Sequence, residues 1–362
     1  MIEKYYNGVI EQVAGGIGNV EHNSILVRYS NDFSIWDLES VNHYKDQTDI
    51  FFTCHEFSYN KIAEAYEPYL GLIRQMFHKY CSGTLEEFME ECDVYKLQRP
   101  VFESYFEKGF CERTEQILID EVEYEQERMH SSIVTMLQKL SEICPIVIVL
   151  NRFQLASKST MQLTNRLLQT KNKNIGIVLG VNDVQSIPEF AHEEWDAICE
   201  SMDDRNMVYH IGNAGRNMEP DVMDYYSDYE SDDGYRKLNN LVYFLDFDQA
   251  DHHLSKIERR IKFDNFTISE KKHYQLLLLQ IMVSVLQRDI AKALESCEDL
   301  EKLQDQEKEG AFYYNFWMAT SYMYLGKLEE AMIYVQKAKE CGEALGDDFL
   351  VFRAELLKAQ NQ

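Results

Sequence analysis

Hydrophobic positions along this chain follow two rhythms. Ile146, Val147, Ile148, Val149 and Leu150 form an unbroken aliphatic run. It does not alternate and is too short for a helix of its own, so it predicts a parallel strand buried on both faces. Asn151 ends it, polar residues 154–159 follow, and Met161, Leu163, Thr164, Leu167 and Leu168 then recur at helical spacing. A second aliphatic stretch, Ile175, Ile177, Val178 and Leu179, completes a strand, helix, strand unit, the right-handed βαβ crossover. Upstream, Ile2, Tyr5, Tyr6, Val9, Ile10 and Val13 share one helical stripe that stops at Gly15, Gly16 and Gly18. Ser24–Val27 predicts the first strand, Asp37–Val41 the start of a helix, and residues 50–54, IFFTC, the next strand. Pro68 suits the first turn of a helix over 65–77. Helical patterns continue over 84–93, 100–110 and 113–142, the last delivering the chain into the central strand.

Beyond Val181 the pattern predicts a helix over 193–200, with Trp195, Ile198 and Cys199 inward, and a strand at Met207–Ile211. Residues 219–233 carry seven acids and no base, which predicts a solvated, mobile loop dispensable for folding. The spacing of Asp224, Asp228, Glu230, Asp232 and Asp233 does not match a calcium loop. Over 238–262 the sequence predicts a strand, LVYFLDF, and a helix on which His252 and His253 are surface residues facing different ways. From residue 269 the rhythm becomes paired helices. Ala319, Tyr322, Gly326, Leu328, Ala331, Val335 and Ala338 make one copy, and Ala293 stands in an earlier copy 38 residues before Ala331.

The strand that ends at Asn151, its polar loop and the helix opening on Ser or Thr resemble the Walker B region of the signal-transduction NTPases with numerous domains, the STAND class of AAA-like P-loop ATPases. Those proteins end this strand in two acids; here the chain reads IVIVLNRFQLASKSTMQLTNRLL, with Asn151 and Arg152 in their place. Residues 65–77, AYEPYLGLIRQMF, resemble the helix after the second strand of the same family. The family's P-loop, GxxxxGK[ST], corresponds to Arg28–Val41, which has no Gly and no Lys. Its last Gly, Lys and Ser/Thr positions fall at Ser34, Ile35 and Trp36. A phosphate cradle needs glycines so that backbone N–H groups can wrap the anion, and a lysine to offset its charge; Phe33, Ile35 and Trp36, beside Asp32 and Asp37, are bulky and of the wrong sign. Alternatively this loop was never a P-loop; both readings give no triphosphate site. The C-terminal part resembles tetratricopeptide repeats. The resemblance implies an α/β plus all-α protein: a degenerate STAND/AAA-like parallel-sheet domain over 1–215, an acidic loop and strand-helix connector over 216–268, and tetratricopeptide-like repeats over 269–362. About 50 residues of connector are too few for the winged helix that the family often carries.

Charge and composition narrow the functions. Hydrophobic residues make up 45% of the chain and the net charge is −26, which repels a phosphate backbone and an anionic membrane surface. The eight cysteines form no CxxC pair and read as reduced thiols of a cytoplasmic protein. No apolar signal core and no run of about 18 apolar residues is present. AGGIG precedes a strand instead of following one, so it reads as a helix stop. The sequence therefore predicts a catalytically inactive regulator without cofactor or metal, whose helical arm binds a protein partner. An alternative is an active nucleotide switch, taking ATP and Mg²⁺, with Asp32, Asp37, Glu56 or Asp183 on the metal and Arg152 on phosphate; a third reading is a repeat scaffold with no ligand. The last helix, with Phe349, Leu350, Phe352, Ala354 and Leu357, is expected to need a cover, from a longer chain or a second copy.

Overall fold

A computed structural model describes residues 2–18, 23–29, 34–45, 47, 49–58, 61–111, 122–170, 172–182, 187–203, 207–211, 229, 231–264 and 266–360. Contacts divide the chain into two units, Met1–Ile117 with Glu123–Asp246, and Leu118–Val122 with Phe247–Gln362.

The first unit is α/β. Its strands are β1 (Ser24–Tyr29), β2 (Phe51–Glu56), β3 (Ile146–Asn151), β4 (Ile175–Asn182) and β5 (Val208–Ile211). They form one five-stranded sheet in the order β2-β3-β4-β1-β5. Every pairing is parallel, with Ile146 opposite Ile175 and Ser24 opposite Ile177. All residues of β3 and β4 are buried, which is why the sequence shows unbroken aliphatic runs there. The same stretch of chain holds helices α1 (Ile2–Gly15), α2 (Glu39–Lys45), α3 (Tyr69–Tyr80), α4 (Leu85–Glu91), α5 (Arg99–Lys108), α6 (Val122–Ile143), α7 (Lys158–Thr170), α8 (His192–Asp203) and α9 (Asp232–Tyr243). Tyr6, Val9, Ile10 and Val13 of α1 join Val27, Val147, Val149 and Val178 in one core. Two glycines of β4 permit this approach. A Cβ on Gly176 would sit 2.7 Å from Val13 Cγ1, and one on Gly180 would collide with the Tyr6 hydroxyl.

Three sequence expectations need correction in this stretch. LVYFLDF, residues 241–247, is not a strand: Leu241–Tyr243 end α9, a turn follows with Leu245 in the left-handed region, and Phe247 opens the next helix. The helix wins because Ser231 caps it, accepting from Gly234 N–H at 2.8 Å, and because buried Asn240 finds side-chain and backbone partners. The tail of the acidic segment is not loose either. Tyr229 is buried, and Asp233 pairs with Arg236 at 2.8 Å and Lys237 at 3.1 Å. The rest of that segment, 219–228 and 230, lies outside the described residues, as do 113–121 of the helix expected over 113–142. Finally, the expected connector over 216–268 is divided: α9 belongs to the first unit and the helix from Phe247 to the second.

The second unit is all-α: α10 (Phe247–Phe263), α11 (Glu270–Leu286), α12 (Ile290–Glu301), α13 (Gly310–Tyr324), α14 (Leu328–Leu345) and α15 (Asp348–Gln360). Helix pairs α11/α12 and α13/α14 repeat the same layout. Arg288 and Gly326, 38 residues apart, both take positive φ in the intrapair turn, at 63° and 71°. Ala293, Cys297 and Leu300 are buried, as are Ala331, Val335 and Ala338 at the same offset. His253, expected at the surface, is fully buried beside Ala250, Leu254 and Ile257 on the inward stripe of α10, and burial pushes its pKa well below the ordinary value. The last helix is also better covered than expected. Leu350, Ala354 and Leu357, spaced i, i+4 and i+7, are buried, and α15 packs on α14; Phe352 remains 59% exposed. No helix among the described residues is long and apolar enough to cross a membrane.

Candidate functional site

The chain leaves β1 toward β2 and leaves β4 toward β5, on the other side of the sheet. The carboxyl ends of these two neighbouring strands therefore flank a topological switch point, where open α/β sheets hold their ligands. Ser34, Ile35, Asn151, Arg152 and Glu56 all belong to this edge.

After β1 the chain makes a 3-10 turn over Ile35–Asp37. Ser34 caps it, its hydroxyl accepting from Trp36 N–H at 3.3 Å. The same hydroxyl donates to Glu56 Oε2 at 3.3 Å, and Ile35 N–H donates to that oxygen at 3.2 Å. The other carboxylate oxygen, Oε1, lies 3.3 Å from Arg152 Nη1. Arg152 adopts the left-handed conformation, φ 52° and ψ 41°, which turns the chain sharply out of β3. An internal carboxylate is thus bound by one hydroxyl, one backbone N–H and one guanidinium. Trp36 does not join this cluster: it is 46% exposed, with Lys45 Nζ 4.5 Å from its ring centre.

Asn151 is fully buried. Tyr29 O–H donates to its Oδ1 at 2.7 Å, and among the described residues its Nδ2 has no partner. Across Gly180, the Tyr6 hydroxyl closes the same space. Burial, then the neighbouring Tyr29 and Glu56, hold the Tyr6 pKa well above the usual phenol range, so this end of the strand is lined by neutral hydroxyls and an amide.

The helix that follows β3 is capped from inside too. Ser157 accepts from Thr160 N–H at 3.1 Å, and the buried Asp246 carboxylate accepts from Ser159 N–H at 2.8 Å. An anion at a helix N-terminus satisfies its unpaired N–H groups and dipole; here the anion is the chain's own.

Beside this edge, the loop after β2 carries a polar network that sequence reasoning missed. Glu64 accepts from Arg236 Nη2 at 2.7 Å and Asn240 Nδ2 at 3.0 Å, while Glu67 accepts from Glu64 N–H at 3.1 Å and lies 3.5 Å from His55 Nε2. Burial raises both glutamate pKa values and lowers that of His55 to about 4, so the imidazole is neutral at pH 7.

The structure thus gathers Ser34, Ile35, Asn151, Arg152 and Glu56, leaving Trp36 outside. Asp32 and Asp183 lie outside the described residues, as does the side chain of Asp37. Arg152, expected on phosphate in the nucleotide-switch reading, faces Glu56 instead. Among the described residues no group of three or more His, Cys, Asp or Glu side chains could hold a metal ion. In the sequence Tyr6 is only one member of an apolar helical stripe and Asp246 lies in an expected strand, and neither they nor Tyr29 is marked as a polar partner; the one local signal is the pair of β4 glycines, which marks a close approach without naming its partner. No protein-family model, curated protein or solved structure matches this chain.

Proposed function

We propose that this chain is a non-catalytic regulatory protein, resembling a STAND-type ATPase that has lost its chemistry, in which an α/β platform receives a signal and a tetratricopeptide-like arm engages a protein partner. The observation that carries the reading is Glu56. Its carboxylate occupies the hydroxyl, backbone N–H and guanidinium donors that a phosphate would need at the switch point. A triphosphate would have to expel a bound carboxylate without a lysine or a glycine-rich loop to reward it. Tyr6 and Tyr29 support the same conclusion at Asn151, where Mg²⁺-holding acids stand in the family. The repeated helix pairs support the arm, since stacked pairs leave an extended surface suited to a protein partner.

Calorimetric titration of the full chain with ATP, ADP and GTP in the presence of Mg²⁺ tests this. No saturable heat and no turnover above buffer is expected. A dissociation constant of about 10 μM or tighter, about 7 kcal/mol of binding free energy, would overturn the reading.

A further inference from the structure

Within the helical unit, α10 and α11 pack together and leave a cleft between them. Leu254, Ile257, Glu258 and Ile261 of α10 line one wall, and His273, Leu276, Leu277 and Gln280 of α11 the other. Both sets are spaced i, i+3, i+4 and i+7, so each helix turns one continuous stripe toward its neighbour. The empty space is about 230 Å³ with its mouth included, smaller than the roughly 300–1,000 Å³ of drug-sized sites. Its two ends differ. Leu254 and Gln280 lie at the buried base, Gln280 only 2% exposed, while Glu258, Ile261 and His273 are half-buried and form the mouth.

Gln280 gives this cleft its chemistry. Its Nε2 donates to Asp251 Oδ1 at 2.9 Å and to Ser284 Oγ at 3.2 Å, which fixes the orientation of the amide, and its Oε1 has no partner among the described residues. A buried carbonyl oxygen left without a donor costs free energy, which a ligand N–H or O–H recovers. The charges at the mouth are already balanced. Glu258 pairs with Lys262 at 3.0 Å, and burial lowers the pKa of His273 against the pull of Asp299 and Glu258, so its imidazole is neutral at pH 7. An ion has no unpaired counter-charge to meet here, whereas the five aliphatic side chains offer an apolar body its contacts.

We propose that this cleft binds a small neutral aliphatic molecule carrying one hydroxyl or amide donor, the donor going to Gln280 Oε1 and the carbon body lying between the two stripes. Because the site lies wholly in the helical unit, it does not depend on the nucleotide reading above.

The full chain, isotope-labelled at its isoleucine and leucine methyl groups, is titrated with isoamyl alcohol, with isovaleramide and with isoamyl methyl ether, which keeps the carbon body and lacks the donor. In the NMR spectrum the methyl signals of Ile257, Ile261, Leu276 and Leu277 should shift saturably with the alcohol and the amide, at an affinity about tenfold above that for the ether, as one hydrogen bond to an otherwise unpaired acceptor would give. Gln280→Met keeps the length of the side chain without the acceptor and should bring the alcohol down to the affinity of the ether. Ile261→Trp, at the half-buried mouth, should abolish the shifts. No saturable shift in the wild type, or shifts that persist unchanged in Ile261→Trp, would overturn the site. Equal affinity for alcohol and ether, or an undiminished preference for the alcohol in Gln280→Met, would overturn the assignment to Gln280. Should Gln280→Met fail to fold, the comparison of alcohol with ether on the wild type decides the same point.

Discussion

His130 lies on the inner side of α6, 6% exposed, with its ring edge-on to Tyr66 at 5.5 Å and its Nε2 without a partner among the described residues. Burial lowers its pKa from 6.5 to about 4; Glu127 opposes the shift and Arg166 adds to it. The folded state therefore refuses a proton that the unfolded state accepts. Above pH 6.5 both states are neutral and the residue contributes no pH dependence. As pH falls from 6.5 toward 4, unfolding takes up a proton and stability is lost, reaching about 3 kcal/mol when the gap is fully developed and about 2 kcal/mol at pH 5. Replacing the imidazole by a ring of similar shape, His130→Phe, removes this contribution and keeps the contact with Tyr66. The assay is urea unfolding at pH 8 and pH 5 in a Trp317→Phe background, where Trp36 and Trp195 report on the α/β unit. His55, also lowered to about 4, and the raised Glu64 and Glu67 titrate in both proteins, so they cancel in the comparison. The variant should lose about 2 kcal/mol less than its parent between the two pH values. Equal losses would refute the reasoning, because they would mean that His130 takes its proton in the folded state as readily as in the unfolded one.

The remaining predictions follow the same geometry. Asn151→Asp should not confer ATP binding, and it should lower stability at pH 7 by about 2 kcal/mol, since the new charge is buried with Tyr29 as its one side-chain donor among the described residues; thermal melting should show the deficit shrinking in acid as the carboxyl takes a proton, and micromolar ATP affinity would contradict the closed site. Gly180→Ala places a methyl against the Tyr6 hydroxyl and, at 2.6 Å, against Asn151 Oδ1; chemical denaturation should show a loss of about 1–3 kcal/mol, and an unchanged midpoint would mean that α1 does not press on β4. Arg288→Gly relaxes a positive φ of 63° and should stabilise the helical unit by about 1 kcal/mol; a destabilised variant would show that the arginine side chain matters more than its backbone.

Much of the architecture was legible along the chain because it depends on short-range periodicity. The aliphatic runs at 146–150 and 175–179 could only be strands buried on both faces, and the 38-residue recurrence of Ala293 at Ala331 set out the helical pairs. Ser34, Ile35, Asn151 and Arg152, singled out in the sequence, lie at the carboxyl edge of the sheet, while the Trp36 ring lies at the surface. The polar contacts at this edge were decided in three dimensions. Glu56 is an ordinary strand-ending acid until β1 and β3 bring Ile35 N–H and Arg152 to its two oxygens. Asp246 sat inside LVYFLDF, whose local β propensity favoured a strand, until the cap at Ser231 and the partners of Asn240 favoured a helix. His253 turned inward for the same kind of reason, a stripe of apolar neighbours outweighing one polar ring. Periodicity is a property of neighbours along the chain, so the sequence displays it directly. Which donor meets which carboxylate depends on residues scores of positions apart, and only the packed sheet brings them within hydrogen-bonding distance.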